Sequence, residues 1–187
     1  SRKKKDKIDP NLIIRISNQK STVENINTEL KGIKTQYNLC NGLNNIGNIV
    51  DYGMIYNPSK SGQYRLQEYS IIQKYGIDYK RFLENTPKYK NIGVVLQFMK
   101  NLLKDIAYIH NENIAHLDLK PSNILLSFKS IPKNKIEKVN YAIVDFGAAR
   151  KFTSESSKII DGQMASAAFS PPELLERKFG KRSDIWA

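Results

Sequence analysis

At 187 residues, 40% of them hydrophobic and 26% charged, the chain has the composition of an ordinary globular domain. Its single cysteine, Cys40, excludes an internal disulfide, and two histidines leave no zinc cluster. No apolar run approaches the ~20 residues that span a membrane, and no signal-peptide pattern is visible.

The formal charge of +12 raises nucleic acid, anionic lipid and acidic substrates as partners. The lysines are scattered, however, apart from Arg2-Lys3-Lys4-Lys5, and no interleaved aromatic platform accompanies them. Nucleic-acid binding is therefore not expected, and acidic protein substrates stay open. One free cysteine fits a reducing compartment, so an intracellular protein, cytoplasmic or nuclear, is expected.

In chain order, Asn11 to Ser17 (NLIIRIS) reads as a buried strand with polar edges. Ser21-Thr22-Val23-Glu24 has the pattern of a capping box and predicts a helix starting at Ser21. Val23, Ile26, Leu30, Ile33 and Tyr37 then recur at helical spacing, and Asn41-Gly42 ends the helix. Asn57 to Gly62 is a loop by composition, and Tyr64 to Tyr75 reads as a strand. Asp78 to Leu83 predicts a short helix. Leu96, Met99, Leu103, Ile106 and Ile109 predict a long one, with Met99 in the core and His110 as a cap or surface residue. The lysine-rich stretch between Leu126 and Tyr141 reads as a loop without assigned function.

The chemistry is concentrated in Ile114 to Asn123, IAHLDLKPSN. An acid (Asp118), a cation (Lys120) and an amide (Asn123) share one short loop stiffened by proline. Transfer of a phosphoryl group to a hydroxyl needs such parts: a carboxylate to orient the hydroxyl, an ammonium to steady the moving charge, an amide oxygen for a metal ion. Alone, this tripeptide-scale signal is also what an ordinary turn looks like. Asp145-Phe146-Gly147 follows an apolar run, an acid at a strand end before a glycine turn, which is a metal-binding arrangement. Phe169-Ser170-Pro171-Pro172-Glu173 and Ser183-Asp184-Ile185-Trp186 complete the series.

With these four motifs in order, the chain resembles the catalytic domain of a eukaryotic protein kinase. HLDLKPSN stands for the catalytic loop, DFG for itself, SPPE for the APE motif and SDIW for the start of the central helix of the C-lobe. The resemblance implies an α+β, bilobal fold, with residues 1–75 a partial N-lobe and 76–187 a partial C-lobe. It also implies a chain that begins just before the third strand of the N-lobe and stops as the central helix starts. No two glycines stand two apart, so the glycine-rich phosphate lid is expected upstream of Ser1.

The resemblance assigns Asp118 as catalytic base, Lys120 as phosphoryl contact, and Asn123 and Asp145 as magnesium ligands. It places Leu125 beneath the adenine of ATP, makes Gln73 the gatekeeper, and has Lys74 and Tyr75 offer hinge backbone groups. His116 and Phe146 are expected to stack, and Ser166 to tie the substrate loop to Asp118 and Lys120. Lys120 and Ser166 point to a protein substrate with a serine or threonine acceptor. Arg15 occupies the slot of the strand lysine and Ile13 that of its alanine, and Glu29 that of the helix glutamate, so an Arg15–Glu29 pair is expected. A surface arginine and a solvated glutamate are the alternatives, since an arginine does not replace a lysine conservatively at a tight site. Lys20 is a poor substitute. Leu117 replaces the arginine that clamps an activation-segment phosphate, which implies activity without phosphorylation at Thr153, Ser154, Ser156 or Ser157. Two other functions stay open: a pseudokinase acting as a scaffold, and a kinase of small molecules. The oligomeric state is not indicated.

Overall fold

The computed structural model describes residues 9–17, 22–58, 64–85, 92–126, 140–152, 158–159, 166–173 and 178–187. Lys20, Ser21, the tip of the loop after Pro58, the lysine-rich loop at 127–139 and the four candidate phosphorylation sites lie outside them.

Strand β1 (Leu12–Ile16), β2 (Ile49–Pro58) and β3 (Tyr64–Gln73) form an antiparallel sheet in the order β1-β3-β2. The ladder continues to the Pro58–Tyr64 pair, so Asn57 and Pro58 are strand rather than loop. β1 is less buried than its sequence suggests: Ile13, Ile14 and Ile16 are exposed. Among the described residues it is an edge strand with a neighbour on one side only, so apolar composition alone did not report its burial.

Helix α1 (Val23–Cys40) follows β1. Its cap is Thr22 rather than the expected Ser21, because the Thr22 hydroxyl accepts the Asn25 N–H at 3.2 Å. Ile26, Gly32, Gln36 and Leu39 are its buried positions, whereas Val23 is exposed in the first turn. Gly32 is where α1 meets the DFG turn. A Cβ there would stand 2.7 Å from both the Gly147 Cα and the Phe146 carbonyl oxygen, so only glycine permits this approach.

A second antiparallel sheet, β4-β6-β7, joins Ile77–Asp78, Ile124–Leu126 and Tyr141–Ile143. Helix α2 (Tyr79–Asn85) and helix α3 (Ile92–Asn111) pack around it. Only part of the predicted α3 stripe is inside. Phe98, Leu102, Ile106 and Ile109 are buried, while Leu96, Met99 and Leu103 are exposed, so Met99 is not core. The helix carries apolar residues on two faces, and periodicity cannot choose between them. Ile46, Leu126, Ile143 and Phe146 complete the core around the second sheet. Inside it, Asp105 accepts hydrogen bonds from the Tyr141 hydroxyl and, at 2.9 Å, from the Asn45 amide.

Two short ladders organise the rest: β5 (Ile114–Ala115) with β8 (Arg150–Lys151), and β9 (Lys158–Ile159) with β10 (Lys178–Phe179). Helix α4 (Ser183–Trp186) closes the described residues. The architecture is α+β, as expected, with strands and α1 leading a helical region. No described helix is long and apolar enough to cross a membrane.

Candidate active site

β5 and β6 bracket the loop that carries Asp118, Lys120 and Asn123, and side chains from elsewhere lock it in place. Asp184, buried in α4, accepts the His116 N–H at 2.8 Å and the Leu117 N–H at 2.7 Å, and faces His110 Nε2 at 2.9 Å. His110 is therefore a partner of a buried carboxylate, not a surface residue. Leu117 is held at φ 62°, a left-handed conformation that a leucine adopts only where its surroundings impose it. His116 is completely buried; its Nε2–H donates to the Val144 carbonyl and its Nδ1 accepts the Asp118 N–H. Burial holds its pKa below the ordinary histidine value. Its ring lies against Phe146, with centroids 4.6 Å apart, as expected.

Asp118 is surrounded by donors. Lys120 Nζ reaches its Oδ2 at 2.7 Å and Asn123 Nδ2 reaches the same oxygen at 3.0 Å. The N–H and hydroxyl of Ser166 approach Oδ1 at 3.4 and 3.3 Å, and Lys120 also donates to the Ser166 hydroxyl at 2.8 Å. Burial pushes the Asp118 carboxyl up, but its bonds to Lys120, Ser166 and Asn123 outweigh that and hold it below the usual carboxylate range. Ser166 thus stands between Asp118 and Lys120, as anticipated.

Asp145 leaves β7 in a left-handed conformation, φ 68° and ψ 68°, which turns the chain into the Phe146–Ala148 turn. Its N–H is held by the side-chain oxygen of Gln36, and the amide of Gln36 donates to the Gly47 carbonyl at 2.7 Å. Gln36 is a site residue that motif reading missed, because its partners are brought to it only by the fold. Asp118, Lys120, Asp145, Ser166, Arg15 and Glu29 open onto one cavity of about 340 Å³. Asn123 lies beneath Asp118. With its NH₂ spent on Asp118, the side-chain oxygen of Asn123, Oδ1, has no partner among the described residues, while its backbone carbonyl accepts the Val144 N–H at 3.0 Å. Together with the Asp145 carboxylate it offers the hard oxygen donors that suit magnesium.

A second cavity of about 240 Å³ adjoins the first and shares Arg15 and Asp145 with it. Ile72, Leu125, Val144 and Tyr75 line it. Ile72, not Gln73, faces this space, since Gln73 is exposed and side chains alternate along β3. In the hinge the Lys74 N–H is already committed to the Asn11 carbonyl at 2.6 Å, and the Gly76 N–H to Leu126 at 2.9 Å. The Tyr75 N–H has no partner among the described residues, while the Tyr75 hydroxyl accepts the Asn48 N–H at 2.9 Å. Of the two hinge residues anticipated, Tyr75 can offer a donor and Lys74 only its carbonyl.

The expected Arg15–Glu29 ion pair is not formed. Ion pairs among the described residues are Arg81–Asp78, His110–Asp184 and Lys120–Asp118. Glu29 instead lines a small cavity together with the buried Glu68 of β3. Burial raises its pKa, Glu68 raises it further, and Arg15 offsets part of the rise from a distance. The physical reason is electrostatic: Glu68, at the small cavity that Arg15 and Glu29 both line, repels Glu29 and opposes the attraction of Arg15.

Comparison with known families matches residues 11–187 to the protein kinase domain. Cyclin-dependent kinase 20 of Danio rerio is 34% identical over 112 residues, which are 59% of this chain and 30% of that protein. Cyclin-dependent kinase 20 of Homo sapiens is 36% identical over 95 residues, 50% of this chain and 25% of that protein. The match to the Rattus norvegicus protein has the same identity and extent. The matches span about a quarter to a third of the length of these relatives.

Proposed function

This chain belongs to the protein kinase family, and from that premise we propose that it transfers the γ-phosphoryl group of ATP to serine or threonine hydroxyls of proteins. Residues 1–75 and 76–187 serve as its two lobes, and the single cysteine favours an intracellular setting. The observation that carries the reading is Asp118, held by Lys120, Asn123 and Ser166 at the cavity that Asp145 and Arg15 also line.

Each side chain then has a task. Adenine rests on Leu125 and Ile72, with the Tyr75 N–H as donor, and the phosphates extend toward Arg15. Asn123 and Asp145 would hold magnesium, which when bound would neutralise triphosphate charge. Asp118 stays ionised because its pKa is depressed, so it orients the acceptor hydroxyl and takes its proton late, when Lys120 has turned to the phosphoryl group. Ser166 holds the acceptor strand beside Asp118. Leu117, lacking charge, frees the site from an activation-segment phosphate.

The test has two parts. Mg·ATP is expected to raise the melting temperature, as a ligand of the folded state does. The protein is then expected to phosphorylate seryl and threonyl peptides but not tyrosyl ones. Asp118→Asn is expected to slow transfer by about 10²- to 10⁴-fold while keeping the ATP shift. Transfer undiminished in Asp118→Asn would sink the assignment. A second reading, a scaffold without turnover, draws on the unpaired Arg15 and Glu29, and an absent ATP shift would favour it.

A further inference from the structure

Gln36 is 7% exposed and lines both cavities of the cleft, although it stands in none of the sequence motifs. Its place follows from Gly32, one helical turn earlier on the same side of α1. Without a side chain at 32, the helix comes against the Phe146–Gly147 backbone, and that approach carries Gln36 to the end of β7. There its amide bridges two backbone groups. Oε1 accepts the Asp145 N–H at 3.3 Å, and Nε2 donates to the Gly47 carbonyl at 2.7 Å. An N–H only donates and a carbonyl only accepts, so the amide has one workable orientation.

The other end of the same peptide unit is held as well. The Val144 carbonyl, coplanar with the Asp145 N–H, accepts from His116 Nε2 at 3.1 Å. The Val144–Asp145 peptide is therefore gripped by the catalytic loop through its carbonyl and by α1 through its N–H. The orientation of this plane goes with the φ of Asp145, which is 68°, a region disfavoured for any residue with a Cβ. The Gln36 bond opposes relaxation, because a turned peptide would leave the Asp145 N–H and a buried side-chain oxygen unpartnered. In the held pose Asp145 lines the cavity that also takes in Asp118 and Lys120.

We propose that Gln36 is a positioning residue for the metal site: it keeps the Asp145 carboxylate aimed at the cavity and makes magnesium binding depend on where α1 lies. Withdrawal of α1 releases the Asp145 N–H and lets the strained turn relax. By reciprocity, α1 is held more firmly once Asp145 carries magnesium. An apolar side chain at 36 would fill the same space without this link. The inference rests on the reading that the cleft binds Mg·ATP.

Titration calorimetry of the natural chain and Gln36→Met, with Mg·ATP and with metal-free ATP in chelator, tests it. Gln36→Met is expected to bind Mg·ATP roughly five- to tenfold more weakly, the scale of one buried hydrogen bond, and metal-free ATP within about twofold of the natural chain. Equal loss for both forms overturns the inference, since Gln36 would then only shape the pocket. No loss for Mg·ATP overturns it too and leaves the ATP reading standing. Hydrogen exchange adds a measurement that needs no variant. Relative to metal-free ATP, Mg·ATP is expected to slow exchange of the Asp145 amide and of the α1 amides from Ile33 to Leu39 by about fivefold or more. Unchanged exchange over α1 in the natural chain sinks the coupling, even should Gln36→Met fail to melt cooperatively. If the natural chain binds neither form of ATP, the ATP reading falls and this inference with it.

Discussion

The two sides of the cleft treat their carboxylates in opposite ways. On the catalytic-loop side, Asp118 receives Lys120, Asn123 and Ser166, and Asp184 receives two backbone N–H groups and faces His110. On the sheet side, Glu29 and Glu68 face each other, and Arg15 is in ion-pair contact with neither. A polar network whose members are all satisfied has one geometry and resists change, whereas one with too few donors has several states of similar energy. The loop that would perform the chemistry is thus rigid, and the part that would grip phosphates is adjustable.

The contrast can be broken most severely at Asp184. Asp184→Ala leaves the His116 and Leu117 N–H groups without their acceptor and is expected to cost about 3–5 kcal/mol in urea unfolding. A cost below about 1 kcal/mol would mean that the loop is not held as described. Gly32→Ala acts where the two sides meet, pushing α1 off the Phe146–Gly147 backbone; about 1–3 kcal/mol is expected. A crystal structure of that variant should show α1 displaced while the Asp118–Lys120–Ser166 contacts persist.

Acidification probes the rigid side more gently. Because the fold holds His116 neutral, with a folded pKa below its unfolded one, stability is full above the unfolded value of ~6.5 and declines as pH falls from there toward the folded value. Melting temperatures measured from neutral to mildly acidic pH should fall in the natural chain more than in His116→Asn. The smallest effect is expected at the activation segment. Alanine at Thr153, Ser154, Ser156 and Ser157 together should change peptide phosphorylation by less than about twofold, since Leu117 has no charge with which to grip a phosphate. Loss of turnover in that variant would show that another cation does the gripping.

How much was legible in the sequence follows the same division. The residues from Ile114 to Asn123, the DFG turn and Ser166 lie in short segments that the family resemblance picked out, and the structure brings them together across 46 and more residues of chain. Asp184 stood in a recognised motif, but its partners are His110, His116 and Leu117, and only folding makes them neighbours. Helical periodicity found α1 and α3 but misjudged which apolar residues of α3 are covered, because a helix with two apolar faces does not say which one meets the core. Thr22 rather than Ser21 as cap differs by one residue, a distinction set by where the backbone turns.

What the sequence by itself determined was the inventory of the cleft and the local geometry of its loops, since both depend on neighbours a few residues apart. Only the tertiary structure decided that Ile72 faces the cavity, that Gln36 holds the Asp145 backbone, and that Arg15, Glu29 and Glu68 line one small cavity. Those outcomes depend on strand register and on how closely α1 lies against the sheet. Contacts between distant segments, not propensities within one, set both.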